Sequence, residues 1–240
     1  MIAGPGSGKT AVLTNRIKYL IKERNIPPEQ ILTLTFSKKA AGEMQDRFLS
    51  LCEDTYYPVT FGTFHSVFFQ IIHRIYHYST GNIMTLKQKR DLMARSVRLS
   101  GITDKPETEL TDSLLKSVAF YKNCNEKEYR DSETNLSKED FLKVYKAYRD
   151  AQIAADKIDF EDMLLIVRNL FAKHRDILEE YRKRYRFILI DEYQDINDIQ
   201  YDIIRMLAAP HNNLFVSSNL PVKKRSKAPR KAGNTLPGGE

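Results

Sequence analysis

The stretch Ala3-Gly4-Pro5-Gly6-Ser7-Gly8-Lys9-Thr10 is glycine-rich and runs straight into a helical pattern. Its glycines let successive backbone N–H groups turn inward around anionic oxygens, and the helix that follows aims its positive N-terminus at the same point. The closing Gly8-Lys9-Thr10 completes a P-loop. Lys9 is then expected to reach the β- and γ-phosphates of a nucleoside triphosphate, and the Thr10 hydroxyl to bind Mg²⁺. The candidate nucleotide-binding residues are Gly4, Pro5, Gly6, Ser7, Gly8, Lys9 and Thr10, and the implied cofactors are ATP and Mg²⁺. The first position is Ala3, where the general pattern has glycine.

Working outward, Ile2 can end a short strand, and Leu13, Ile17, Leu20 and Ile21 recur at helical spacing through Ala11 to Arg24. Asn25-Ile26-Pro27-Pro28 breaks that helix. Ile31 to Phe36 reads as a buried strand, Ala40 to Leu51 as a helix, Pro58 to Phe61 as a short strand, and Val67 to Ile75 as a helix. Strands alternating with helices imply a parallel sheet with helices on its faces. The rhythm changes after about Tyr78, and 83–155 carries helical patterns with almost no strand signal. Ser137 with Asp140, stapled by Leu136 and Phe141, marks one helix start; Asp159 with Ile158 and Met163 marks another. The α/β rhythm resumes with the strand Phe187-Ile188-Leu189-Ile190, a helix capped by Asn197 and Gln200, and a strand beginning Leu214-Phe215-Val216.

A P-loop enzyme also needs a carboxylate at the end of a nearby strand. Four apolar residues, 187–190, force a buried strand, and Asp191-Glu192 emerges at its carboxyl end, where open parallel sheets bind ligands. Asp191 is the candidate magnesium ligand alongside Thr10. Glu192 is the candidate base that orients and deprotonates the attacking water.

Asp191-Glu192-Tyr193-Gln194-Asp195 resembles the second helicase motif of the UvrD/Rep family of superfamily 1. Ala3 agrees with that family's P-loop. Thr35-Phe36-Ser37-Lys38-Lys39-Ala40-Ala41-Gly42-Glu43-Met44 is similar to its T-F-T-N-K-A-A-x-E-M motif, with Ser37 and Lys38 in place of Thr and Asn. Thr63-Phe64-His65-Ser66 resembles T-F-H-S, and Ile158-Asp159-Phe160-Glu161-Asp162-Met163-Leu164 resembles I-D-F-x-D-L-L, a segment that capping and stapling explain as structural. These signatures stand in the family's order from about Ile2 to Val216. The resemblance implies an α/β, RecA-like P-loop NTPase sheet with an inserted, mostly helical subdomain. The expected division is 1–79 and 158–216 for the sheet domain, 80–157 for the insert and 217–240 for a basic, disordered tail. It implies a 3′→5′ ATP-dependent DNA helicase with Lys9, Glu192 and Gln194 catalytic, Gln194 sensing the γ-phosphate. It also implies single-stranded DNA as partner, met by Phe36, Lys39, Phe64 and His65. Core packing is an equal alternative for Phe64, as is a structural role for His65.

The bulk numbers bound this reading. Hydrophobic content of 42% and charged content of 29% fit a globular protein, and no apolar run approaches the roughly 18 residues that span a membrane. Cys52 and Cys124 have no metal-ligand spacing or disulfide framework, which points to reduced thiols and a cytoplasmic location. A monomer is the expected state. The net charge of +7 is concentrated after Ser217, where Lys223, Lys224, Arg225, Lys227, Arg230 and Lys231 face only Glu240. That tail could neutralise phosphates; a solvated extension is the preferred reading. The case for nucleic acid therefore rests on motifs, not on charge.

The family places an adenine-recognition glutamine upstream of the P-loop, a G-D-x-x-Q-S-I-Y stretch after the Leu214 strand, and a second RecA-like domain beyond. Here the chain starts almost at the P-loop, and Ser217-Ser218-Asn219-Leu220-Pro221 follows that strand. The expectation is a truncated or frame-shifted helicase product, weak or inactive alone, since an arginine finger supplies about 10³–10⁵ in turnover in related P-loop enzymes. A non-catalytic ATP- and DNA-binding remnant is the alternative. A kinase or GTPase would leave Tyr193-Gln194-Asp195 and Thr63-Phe64-His65-Ser66 unexplained.

Overall fold

The structure, a computed structural model, describes residues 8–102, 107–130, 134–209 and 211–218. Strands β1 (Ile31–Thr35), β2 (Thr60–Thr63), β3 (Phe187–Ile190) and β4 (Leu214–Val216) form one parallel sheet in the order β2-β1-β3-β4. Leu34 pairs with Gly62 on one side and Ile190 on the other, and Ile190 pairs with Val216. The carboxyl ends of the strands are therefore level. The expected strand at Ile2 lies outside the described residues.

Every residue of β1 is buried, as a strand covered on both faces requires. Leu32, Leu34, Ile188 and Ile190 point into a core shared with α3 (Phe64–Tyr76), α7 (Phe160–Lys173), α8 (Arg175–Arg184) and α9 (Asp198–Ala208). Ile31 and Leu189 point the other way, against Leu13 and Ile17 of α1 (Lys9–Lys22) and Met44 and Phe48 of α2 (Lys38–Leu51). Each such side chain contributes about 1.5–3 kcal/mol by leaving water.

Two local readings change. The second strand is Thr60–Thr63 rather than 58–61, because the segment before it is turned, with Val59 N–H donating to Tyr57 O at 2.7 Å. Gly62 sits in that strand against α3. A Cβ there would meet Ser66 Oγ and Val67 Cγ2, both at 2.9 Å. Helix α8 has no expected counterpart. Its sequence is dominated by charge, and only Leu178 and Tyr181 are buried.

Helices α4 (Leu86–Leu99), α5 (Glu107–Asn123) and α6 (Lys138–Ala154) pack around their own core of Met93, Val97, Leu114, Phe141, Val144 and Tyr148. Ser137 caps α6, accepting from Asp140 N, as its sequence predicts. The chain enters and leaves this helical unit at one place, where Ile83 and Ile158 form a parallel bridge. Met84 N–H donates to Ile158 O and Ile158 N–H to Asn82 O, each at 2.9 Å.

A buried cation ties the unit to the sheet domain. Lys122 of α5 is 0% exposed, and its ammonium lies 2.7 Å from Asp159 Oδ2 and 2.6 Å from Asp162 Oδ1. It also lies 5.5 Å from the centre of the Tyr148 ring. Asp159 and Asp162 are the capping box of α7: Asp162 N–H donates to Asp159 Oδ1 and Asp159 N–H to Asp162 Oδ2. Burial lowers the Lys122 pKa, but the two carboxylates outweigh it and hold the ammonium above its ordinary value. Burial pushes the Asp159 carboxyl up, yet Lys122 wins and holds it below its usual range. Asp162 is raised, first by burial and then, against the pull of Lys122, by Asp159. The I-D-F-x-D-L-L segment thus does more than cap a helix.

Candidate nucleotide and nucleic-acid site

Gly8 caps α1 with φ 77°, a left-handed conformation that costs glycine nothing, and its carbonyl accepts Val12 N–H at 3.0 Å. Gly4, Pro5, Gly6 and Ser7 lie outside the described residues. Lys9 opens the helix and is only 8% exposed; Thr10, next to it, is half-buried. The Lys9 ammonium reaches across to the level ends of the strands and lies 3.5 Å from Glu192 Oε1.

Asp191 follows β3 directly. It is buried, its N–H donates to Leu34 O at 3.0 Å, and its Oδ1 accepts Glu192 N–H at 3.0 Å. Glu192 has φ 52°, a left-handed conformation that costs a non-glycine residue about 1–2 kcal/mol. The turn is braced on both sides, since Tyr193 N–H donates to Ser217 O at 2.8 Å and Ser217 N–H to Ile190 O at 2.9 Å. Gln194 Nε2 donates to Glu192 Oε2 and, at 3.2 Å, to Asp195 Oδ2. Lys9, Asp191, Glu192 and Gln194 therefore share one corner at the carboxyl end of the sheet. Ser217 and Ser218, counted from sequence with the tail, are buried and belong to this corner.

A second group lies at the carboxyl ends of β1 and β2. Phe36 is 42% exposed and Lys39 87% exposed, with Lys39 in a loose pair with Glu43 at 3.7 Å. Ser37 caps α2 by accepting Ala40 N–H at 3.0 Å. In Thr63-Phe64-His65-Ser66, the first and last residues are a capping box for α3: Ser66 N–H donates to Thr63 Oγ1 at 3.1 Å and Thr63 N–H to Ser66 Oγ at 2.9 Å. The expected DNA contact of Phe64 is corrected. Its ring is 1% exposed and packs between Phe36, at 5.8 Å, and Phe68, at 6.1 Å. The capping geometry points it into the core, so it supports Phe36 and cannot itself stack on a base. His65 is half-buried and meets Phe160 edge to face at 5.6 Å. Burial lowers its pKa, opposed by the Glu161 carboxylate and a bond with the Phe160 backbone.

The profile of the UvrD/REP helicase N-terminal domain family matches residues 1–218. The chain belongs to the UvrD/REP helicase family. Similar proteins include the putative ATP-dependent DNA helicase YjcD of Bacillus subtilis, 34% identical over 89% of this chain and 29% of that protein. The ATP-dependent DNA helicase PcrA of Leuconostoc citreum is 33% identical over 90% of this chain and 30% of its own length. A probable DNA helicase II homolog of Rickettsia conorii is 36% identical over 89% and 34%. The chain thus spans about a third of the length of the curated relatives it matches. Its four-stranded parallel sheet with a helical unit is the α/β architecture expected of a UvrD/REP N-terminal domain, and no helix among the described residues is long and apolar enough to cross a membrane. Two features of this UvrD/REP domain escape a motif reading: the burial of Lys122 against the two acids of the I-D-F-x-D-L-L segment, and the exposure of Phe160 between them, 48% open to solvent. The signal for the first was two acids at capping-box spacing, with nothing in the sequence to single out Lys122, 37 positions before Asp159, as their partner.

Proposed function

We propose that this chain is the ATP-binding and single-stranded-DNA-binding portion of an ATP-dependent DNA helicase. The single observation that carries the reading is the approach of Lys9 to Glu192 at 3.5 Å beside the buried Asp191, which brings the two halves of a triphosphate site together from distant segments. Lys9 binds the β/γ-phosphates at the N-terminus of α1, and the Gly4-Pro5-Gly6-Ser7-Gly8 loop wraps them, its non-proline residues offering backbone N–H groups. The donors suit Mg²⁺: it takes one or two carboxylates and completes its shell with water and phosphate oxygens, which the Asp191 carboxylate and the Thr10 hydroxyl allow. Held there, magnesium would neutralise charge on the triphosphate. Glu192 accepts a proton from the attacking water, and its left-handed backbone aims the carboxylate at the lysine. Gln194, already bonded to that carboxylate, reports the state of the site to the chain around it.

Phe36, Lys39 and His65 form the DNA side. Phe36 offers an exposed ring, Lys39 a mobile charge and His65 a positioned imidazole. The polarity, 3′→5′, rests on family resemblance alone, and so does the assignment to a motor. A non-catalytic remnant that keeps nucleotide and DNA affinity is the second reading, favoured by the Lys9–Glu192 ion pair, which holds the base against the phosphate-binding lysine.

Phosphate release with and without oligothymidine tests the reading. Slow release that rises with single-stranded DNA and disappears in Lys9→Ala and Glu192→Gln supports the motor portion. Tight nucleotide binding without release supports the remnant. Absence of nucleotide binding overturns both.

A further inference from the structure

We propose that Ser217 is a positioning residue of the nucleotide site, its hydroxyl holding a water in the shell of the magnesium that Asp191 binds. The proposal rests on the ATP reading above and deepens it by one residue outside the P-loop and the motif at 191–195.

Ser217 is 1% exposed, and among the described residues its Oγ has no hydrogen-bond partner. Its backbone is fully used: the N–H donates to Ile190 O at 2.9 Å, and the carbonyl accepts Tyr193 N–H at 2.8 Å. The hydroxyl is the polar group left over. A buried hydroxyl without a partner has lost its water and gained no bond in exchange, so packing alone does not explain it.

The register of the sheet does. Strands β3 and β4 pair Ile188 with Leu214, Leu189 with Phe215 and Ile190 with Val216, so Asp191 and Ser217 come next. Side chains alternate between the two faces of a strand. Ile188, Ile190, Leu214 and Val216 pack into the core shared with α3, α7, α8 and α9, whereas Leu189 and Phe215 pack against α1 and α2. Asp191 and Ser217 therefore both fall on the α1 face, at the end where Lys9 opens that helix and reaches Glu192. Neighbouring strands lie about 4.8 Å apart. That span is too long for a direct bond between two short side chains at one level, and a water bridges it.

The other hydroxyls on this face are accounted for. By the same register Thr35 lies on the far side of Asp191, and Thr63 beyond it. Thr35 Oγ1 donates to Ser37 O at 3.0 Å, and Thr63 Oγ1 accepts Ser66 N–H at 3.1 Å. Thr33 Oγ1 is buried without a bond, as Ser217 Oγ is, but Thr33 pairs with Leu189, two residues below the carboxylate. Of these four hydroxyls, only that of Ser217 is both unbonded and level with Asp191. Magnesium keeps several waters when one or two carboxylates hold it. Ser217 Oγ accepts a hydrogen bond from one of them and has its own proton to donate toward the Asp191 carboxylate.

Binding of a fluorescent, non-hydrolysable ATP analogue to the full chain, titrated with magnesium from an EDTA baseline, tests the assignment. Ser217→Ala is expected to leave the affinity in EDTA unchanged. It should raise the magnesium concentration that gives half of the affinity gain about tenfold. Thr33→Val, which removes the other unbonded hydroxyl, should change neither. Without nucleotide, the urea midpoint of Ser217→Ala should equal or exceed that of the unaltered chain, because no bond is lost. Asp191→Asn serves as the reference. If Asp191→Asn raises the magnesium requirement and Ser217→Ala does not, this proposal fails and the nucleotide reading stands. A rise as large in Thr33→Val, or a lowered urea midpoint in Ser217→Ala, would make the hydroxyl structural and overturn the proposal as well. If the unaltered chain binds no analogue, or magnesium never strengthens its binding, both fail.

Discussion

The ammonium of Lys9 and the carboxylate of Glu192 lie 3.5 Å apart at the level ends of the strands, with the lysine 8% and the glutamate 34% exposed. On the proposed reading, a nucleotide's phosphates and this carboxylate compete for the same cation. Glu192→Gln removes the competitor and leaves Lys9 available, so the variant should bind a fluorescent ATP analogue at least as tightly as the unaltered chain. Lys9→Ala should lose most of that affinity. Equal loss in both would show that the two residues do not serve one phosphate site.

Phe36 and Phe64 are adjacent rings with opposite expected behaviour. Phe64→Ala empties a site in the main core and should cost about 3–5 kcal/mol of stability by urea denaturation. Phe36→Ala, at a ring 42% exposed, should cost little stability and weaken oligothymidine binding by about 1–3 kcal/mol. A reversal of these two outcomes would contradict the burial pattern.

Lys39 is 87% exposed and its pair with Glu43 is a loose surface contact, so Lys39→Ala should leave thermal stability nearly unchanged. If the ammonium neutralises a phosphate, the slope of log affinity against log salt for a single strand should shrink by about 0.7. An unchanged slope would place Lys39 away from the backbone of the strand.

Lys122→Met leaves Asp159 and Asp162 buried without a cation, which should cost about 3–5 kcal/mol near neutral pH. The loss should depend on pH with a definite sign. In the variant both carboxyls are pushed above their unfolded pKa by burial, so the folded form takes up protons that the unfolded chain does not. Stability is then greatest below the unfolded carboxyl pKa and is lost as pH rises through the raised folded values. Denaturation midpoints relative to the unaltered chain should therefore recover between pH 7 and pH 5. A deficit that stays constant over that window would mean that lost packing, not uncompensated charge, dominates.

Gly62→Ala should destabilise by about 1–3 kcal/mol, because its methyl would sit 2.9 Å from both Ser66 Oγ and Val67 Cγ2. Ser66 Oγ must yield, and with it the capping box that aims Phe64 and His65. Adding Ser66→Ala removes the clash with Oγ, so the double variant should lose less than the sum of the single ones. Strict additivity would show that the clash is relieved elsewhere.

Much of the fold was legible in sequence because its signals are local. Consecutive apolar residues made β1 and β3 visible, and residue pairs three apart made the starts of α6, α7 and α9 visible. Helix α8 was invisible because only Leu178 and Tyr181 carry its buried face among charges. The meeting of Lys9 with Asp191 and Glu192 was legible for the same local reason, since glycines before a helix and acids after a strand each define a direction. The nucleic-acid side was less so. Phe36 and Phe64 are the same residue type, and only packing separates an exposed ring from a core ring. Lys122 looks like any helix-surface lysine until the chain brings Asp159 to it across 37 positions.

The bridge between Ile83 and Ile158 gives the helical unit a single doorway. Everything between those residues can lengthen, shorten or be exchanged without displacing a strand of the sheet, provided the two jambs stay paired. The same narrow entrance leaves Lys122 as the bolt on the far side: a replacement unit must bring its own cation to Asp159 and Asp162, or it will hang loose from an otherwise unaltered frame.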